Sequence, residues 1–293
     1  MPFSRIASNA GRKAFIASLL GAFSLTASAE TFVFTAIPDQ DETKLKERFS
    51  KVENYLEEKL GVDVRYVPVK SYAAAVTAFR NNQVQLAWFG GLSGVQAREL
   101  VPGSKAIAQG VEDPEFKSYF IAHESTGIEK SDELPAAIKG KTFTFGSKGS
   151  TSGRLMPEYY IRQTFDDSPT DVFSKVGFSG NHSKTISLVE SGAYQVGAVN
   201  FQVWDSELAA GDIDTSKVKV IWETPTYPDY QWTIRGDVNE TFGEGFEGKV
   251  TQALLDMKDP DLLATFPREG FIPASNDDYE PILKVGKEIG LIE

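Results

Sequence analysis

Apolar residues along this chain follow two alternating rhythms. The run TFVFTAI at 31–37 is β-branched and aromatic, as a strand is, and PDQDE follows with a turn and acidic helix-start residues. Leu45, Phe49, Val52, Leu56 and Leu60 then recur at spacings of 4, 3, 4 and 4, which places them on one helix face, and Gly61 ends that helix. VDVRYVPV predicts a second strand, SYAAAVTAFRNN a second helix, and VQLAWFGG a third strand that breaks at two glycines before a helix over 92–100. Strands separated by helices imply parallel pairing, because a parallel neighbour is reached by a crossover. SKAIAQGV and KSYFIAHES complete this first block.

A second block starts near Gly127. KTFTFGS predicts a strand, a Gly/Ser loop follows, and a helix spans about 151–164; DVFSKVGF, a helix around 183–191, YQVGAVN and the strand SKVKVIWET continue the alternation. After Pro225, YQWTIRG predicts a strand, and helical patterns at about 241–257 and 279–289 return to the first lobe. The expectation is an α/β protein of two lobes, each a mostly parallel sheet flanked by helices, with a cleft between them. Residues 30–123 and 226–293 form lobe 1 and 124–225 form lobe 2, with chain crossings near 122–127 and 222–227.

The first 29 residues stand outside this pattern. Arg5, Arg12 and Lys13 precede an apolar run at 14–25, and Ala27, Ser28 and Ala29 supply a small-x-small cleavage signal, so a secretory signal peptide is expected, with the mature chain starting at Glu30. The apolar run is shorter than the ~20 residues a spanning helix needs. With no cysteine, the chain has neither a disulfide framework nor a lipid-attachment cysteine, which fits a free periplasmic protein. Removing three basic and no acidic residues takes the net charge from -11 to -14, a balance that disfavours nucleic acid. A composition that is 41% hydrophobic and 12% aromatic supports a substantial core, and the length suggests two lobes rather than one.

The candidate chemistry centres on GSKGSTSGRLMPEYYI at 146–161. A strand ends at Phe145 and a helix starts within a few residues, so the stretch is too short for a flexible linker. The first turn of such a helix carries unpaired N–H groups and the positive end of the dipole. Gly149 and Gly153 allow close backbone approach, while Ser150, Thr151 and Ser152 offer hydroxyls, a combination suited to a small tetrahedral anion. A nucleophile elbow would need serine where Thr151 stands, and the Walker pattern lacks its Gly-Lys-Ser/Thr end. His182 lies at another strand-to-helix junction, Tyr72 opens a helix, and Phe89, Gly90 and Gly91 close the third strand; each is a candidate ligand contact beside its plainer role in packing or turning. His123 is expected to be structural. PDQDE is most simply a helix-capping turn. Two histidines without cysteine argue against zinc, and no cofactor is expected.

SYAAAVTAFRNNQVQLAWFGGLSG, the helix-opening GSTSG and SGNHSKTISLVESGAYQVGAVN together resemble the phosphonate/phosphite-type periplasmic solute-binding proteins of ABC transporters. The run from AIPDQDE to IAHESTGI is most similar to the branch called selenate-binding. The resemblance covers essentially the whole mature chain. It implies a type II-like, hinge-closing binding protein without catalysis, a tetrahedral oxyanion in the cleft and a permease partner, probing the ligand through Tyr72, Gly90, Gly91, Ser150, Thr151, Ser152 and His182. Aminophosphonate binders hold the ligand amine with acidic side chains, and the corresponding places here fall near Val203 and Tyr230, which favours a bare oxyanion. Two alternatives stay open: a periplasmic hydrolase using the loop at 150–152 with His182 as base, and a ligand-binding input to a membrane sensor.

Overall fold

The computed structural model describes residues 30–263 and 266–293, so the signal peptide expected from the sequence lies outside the described residues. The first sheet contains β1 (Phe32–Ala36), β2 (Val64–Tyr66), β3 (Leu86–Phe89), β4 (Lys105–Gly110), β10 (Gln231–Ile234) and β11 (Phe271–Pro273). The second contains β5 (Ser118–His123), β6 (Thr142–Phe145), β7 (Lys175–Phe178), β8 (Val196–Asn200) and β9 (Val218–Glu223). Their orders are β11-β4-β10-β3-β1-β2 and β7-β6-β8-β5-β9. In each sheet one half is parallel, β2-β1-β3 and β7-β6-β8, as strand–helix alternation dictates. The strands entered after a lobe crossing, β5 and β10, pair antiparallel to both their neighbours, so the sheets are mixed rather than mostly parallel.

One strand changes sheet relative to the sequence expectation. Residues 118–123 were assigned to lobe 1, but β5 pairs with β8 and β9 in the second sheet. A strand pattern reports burial and not the partner, so the crossing comes earlier than 122–127. Phe116 and Tyr227 exchange two 2.9 Å backbone hydrogen bonds, tying the outgoing and returning segments together. The cores divide at the same place: Phe116 and Tyr227 pack with lobe 1, whereas Tyr119 and Trp222 pack in lobe 2. The short strand β11 is an addition that the sequence pattern did not predict.

The first helix shows how the local code works. Asp41 caps Glu42–Leu60 by accepting from the Thr43 N–H at 2.8 Å, and Gly61 closes it at φ 68°, where a side chain would be strained. Its five apolar residues are buried as spaced, and Phe49 contacts Phe34, Trp232 and Phe266.

A buried ion pair anchors the far side of this core. The Arg268 guanidinium donates from Nη2 to Asp113 Oδ1 at 2.8 Å and from Nε to Oδ2 at 3.0 Å, and it lies against the rings of Trp88, Phe116 and Tyr230. Burial pushes the Asp113 carboxyl up, opposed by Arg268. Breaking such a pair strands a charge. Arg268→Met should lower the stability in urea by about 3–5 kcal/mol; a loss within experimental error would show that Asp113 is satisfied without the guanidinium.

Candidate functional site

The Gly/Ser stretch forms a tight turn after β6. Ser150 caps the next helix, its Oγ accepting from the Gly153 N–H at 2.9 Å, and Thr151–Leu155 is a wide π-helical turn, with the Leu155 N–H reaching the Ser150 carbonyl at 3.0 Å. Such turns widen the helix where side chains must be redirected. The helix continues as Met156–Phe165. Gly153 admits nothing larger, because a Cβ there would lie 3.0 Å from His182 Cε1 and 3.0 Å from Ser150 Oγ. A Cβ at Gly149 would likewise lie 3.1 Å from the Cβ of Tyr72, across the lobes.

The opposite wall comes from lobe 1. At the end of β3 the chain turns at Gly90 into the helix Gly91–Leu100, whose first N–H groups point across the cleft. The Leu92 N–H donates to Thr151 Oγ1 at 2.9 Å and the Gly91 N–H donates to Asp229 Oδ1 at 2.8 Å. Tyr72 stands at the start of the helix Tyr72–Arg80, capped by Ser71. The fold therefore gathers Tyr72, Gly90, Gly91, Ser150, Thr151, Ser152 and His182 in one interlobe cluster. Phe89 is not part of it: its side chain packs against Phe79 in the lobe 1 core, with ring centroids 5.7 Å apart. His123, on the other lobe face, hydrogen-bonds Ser125 through Nδ1 and stays outside the site.

What marks the cluster chemically is a set of buried polar atoms without well-aligned partners. Tyr72 Oη, Ser152 Oγ, His182 Nε2, Asp39 Oδ1 and Asp229 Oδ2 make no well-aligned hydrogen bond, although the Ser152 and Thr151 hydroxyls lie close enough to Asp229, and the Ser150 and Tyr230 hydroxyls close enough to Tyr72, to pull their pKa values down against burial. A buried polar atom left unsatisfied costs about 1–3 kcal/mol, so five at one place are a feature that a ligand would relieve. The Tyr72 hydroxyl lies in the field of both Asp39 and Asp229, and burial raises its pKa far above the ordinary value.

The protonation of His182 follows from its surroundings. Burial lowers its pKa to about 3, so the ring is neutral. The Asn200 N–H donates to Nδ1 at 3.2 Å, and a backbone amide has nothing to accept with; the ring proton therefore sits on Nε2. His182 is a neutral donor, not a base.

Two carboxylates that sequence reasoning passed over complete the site. Asp39, read as part of a capping turn, is 4% exposed; it accepts from Tyr230 Oη at 2.9 Å, and its carbonyl accepts from the His182 N–H, also at 2.9 Å. Burial raises its pKa against the nearby Arg48 and Arg268. Asp229 is 1% exposed, and burial lifts its pKa to about 7 although Thr151 and the Gly91 N–H pull it down. The expectation that the place near Tyr230 lacks an acidic side chain is thus corrected, since Asp229 is its neighbour in the chain and faces the cleft. Val203 is a core residue of lobe 2. The available signal was an acid outside any helix pattern, enclosed by Pro228 and Tyr230 at a lobe crossing. Among the described residues no group of three or more His, Cys, Asp or Glu side chains is placed to hold a metal.

The family described as ABC transporter, phosphonate, periplasmic substrate-binding protein matches residues 34–279. The chain belongs to this family. It is 41% identical over 264 residues to the probable ABC transporter phosphite binding protein PhnD1 of Prochlorococcus marinus (strain MIT 9301), covering 88% of this chain and 89% of that one. It is 28% identical to the phosphonates-binding periplasmic protein of Escherichia coli (strain K12), covering 83% and 72%. The solved structure of the Prochlorococcus PhnD1, in complex with methylphosphonate, matches with a TM-score of 0.85 and 40% identity over 89% of this chain and 99% of that one. As a family member this chain is a periplasmic solute-binding protein of an ABC transporter, and the relatives are binding proteins rather than enzymes. No helix among the described residues is long and apolar enough to cross a membrane.

The Asp229 pKa has a consequence for the unliganded protein. Because its folded value of about 7 exceeds the ordinary 3.8, its contribution to stability is complete below the unfolded value and is lost as pH rises through the folded one. Wild-type protein should therefore melt at a lower temperature at about pH 8 than at about pH 6, and Asp229→Asn should flatten that part of the profile. Identical profiles for the two proteins would show that Asp229 is already ionised in the fold.

Proposed function

We propose that this protein captures phosphite, methylphosphonate or a comparably small phosphorus oxyanion between its lobes and delivers it to the permease of an ABC importer in the inner membrane. It works as a monomer in the periplasm, since both walls of the site come from one chain. The observation that carries this reading is the buried interlobe cluster: the Tyr72 hydroxyl, the Ser152 hydroxyl and the His182 Nε2–H make no well-aligned hydrogen bond within the protein, and the Asp229 carboxyl lies beside Ser152. Support for the ligand class comes from the relative named as a phosphite binder and the related structure that holds methylphosphonate.

Asp229 determines which anion suits such a site. A fully ionised oxyanion placed against a carboxylate is repelled, but one proton shared between them turns the contact into a short charge-assisted hydrogen bond. Phosphite, phosphonates and phosphate can carry that proton near neutral pH. Sulfate and selenate carry none near neutral pH and, being far weaker bases, accept only a weaker hydrogen bond from a protonated Asp229, which weighs against the selenate label suggested by the sequence resemblance. Donors to a charged ligand contribute about 1.5–3 kcal/mol each, enough for several together to offset dehydration despite the net negative charge.

The hydrolase alternative lacks its base. With the proton fixed on Nε2, His182 cannot take one from serine, and Ser150 Oγ is engaged by the Gly153 N–H.

Calorimetry against phosphite, methylphosphonate, 2-aminoethylphosphonate, phosphate, sulfate and selenate tests the reading. Phosphite or methylphosphonate should bind tightest, sulfate and selenate weaker by about 100-fold or more, and the affinity should fall by up to about tenfold per pH unit above pH ~7. Tight sulfate or selenate binding with a flat pH dependence would contradict the role given to Asp229, and no heat with any of the six would contradict the oxyanion reading itself.

A further inference from the structure

A strongly acidic protein is a poor target for an approaching anion, because its global field repels the ligand before any short hydrogen bond forms. The mouth of the cleft departs from the overall charge. An open cavity of about 440 Å³ lies directly outside the site, lined from lobe 1 by Lys70 and Ser71 and from lobe 2 by Ser147, Lys148 and Gly149. Ser71 caps the helix that Tyr72 opens, and Gly149 backs onto Tyr72, so this cavity lies beside the residue that carries one of the buried hydroxyls. Its wall contains two lysines and no carboxylate. Lys70 continues into an adjoining cavity of about 330 Å³, where Lys46 and Lys184 stand with Asp41 and Glu42. Together the two cavities present four lysines against two carboxylates, and Asp41 is already engaged in capping its helix.

Several other surface lysines are tied up in ion pairs. Lys44, Lys105, Lys117 and Lys219 are each held by a carboxylate. Among the described residues Lys70 and Lys148 are in no such pair; both are exposed, and Lys148 rests over the Phe178 ring at 5.3 Å. Uncommitted charges at the rim of a low-dielectric cleft keep their full field toward solvent, within a Debye length of about 8–10 Å.

We infer that Lys70 and Lys148, one from each lobe, form an electrostatic entrance that draws the oxyanion into the open cleft, setting the rate of capture rather than the strength of the final complex. The inference rests on the oxyanion reading above. In the closed protein the ligand's hydrogen bonds are made deeper, by Tyr72, Ser152 and His182, so the rim lysines contribute to encounter and little to retention. Their placement on opposite lobes also means that an anion between them screens their mutual repulsion, which favours the approach of the two rims once the ligand has entered.

Stopped-flow tryptophan fluorescence with phosphite and methylphosphonate separates the rate constants. Trp88, stacked on Tyr230 at 5.5 Å, provides a reporter next to the site. The variant carrying both Lys70→Gln and Lys148→Gln should associate about tenfold more slowly at low ionic strength, with a dissociation rate unchanged within about twofold and a difference that vanishes near 0.5 M salt. The control carrying Lys258→Gln and Lys284→Gln removes the same charge from exposed positions outside the two mouth cavities and should leave association unaltered. An unchanged association rate in the rim variant would overturn the inference, as would an effect confined to dissociation or an equal slowing in the control. A wild-type protein that binds neither anion would instead fail the oxyanion reading, which the same experiment reveals before any variant is compared.

Discussion

The structure is organised around one unfavourable step, the removal of a small anion from water into a protein that already carries excess negative charge. Only local, pre-aligned groups can repay that step. On the proposed reading the site supplies a neutral imidazole N–H and two hydroxyls, brought together by the closed lobes, while the first N–H groups of the helix Gly91–Leu100 hold Asp229 and Thr151 in place. It also places a carboxyl group among them. On that reading, contact between Asp229 and the anion depends on one proton held between them.

The scaffold explains how such an arrangement is held. The Asp229 N–H donates to the Asp113 carbonyl at 3.0 Å, and Asp113 is clamped by Arg268, so a buried ion pair at the lobe crossing holds the backbone that carries the Asp229 carboxyl. On the other side, Asn200 Nδ2 donates to Tyr230 Oη at 3.0 Å and Tyr230 donates to Asp39, whose carbonyl takes the His182 N–H. Contacts such as these and the Leu92–Thr151 bond join the lobes through residues of the ligand cluster itself. Lobe closure and ligand recognition thus draw on one set of atoms, which gives the ligand a differential affinity for the closed state.

Much of this was legible in the sequence because it is local. The five apolar residues of the first helix, its Asp41 cap and its Gly61 stop are decided within twenty residues, and the Gly/Ser turn is recognised by its position between a strand and a helix. The pairing of residues 118–123 was not legible, since alternation reveals a buried strand and says nothing of which sheet receives it. Asp39 and Asp229 were hidden for a related reason. Both lie in irregular segments, where an acid is ordinarily solvated, and partners far along the chain bury them. Asp41 and Asp39 show the contrast within one turn: the first caps the helix in water as its neighbours predict, while the second turns inward to a tyrosine nearly two hundred positions away. Phe89 shows a related limit, since a strand end adjoining a turn offers its backbone there while its side chain follows the core.

The central claim is that Asp229 and the bound anion share a single proton. Isothermal titration calorimetry with phosphite at about pH 8, repeated in buffers of different ionisation enthalpy, counts the protons exchanged on binding. Near this pH both the carboxyl and the free anion are mostly ionised, so the account predicts an uptake close to one proton by the wild type and a clearly smaller uptake by Asp229→Asn. Binding without proton uptake, identical in the two proteins, would contradict it.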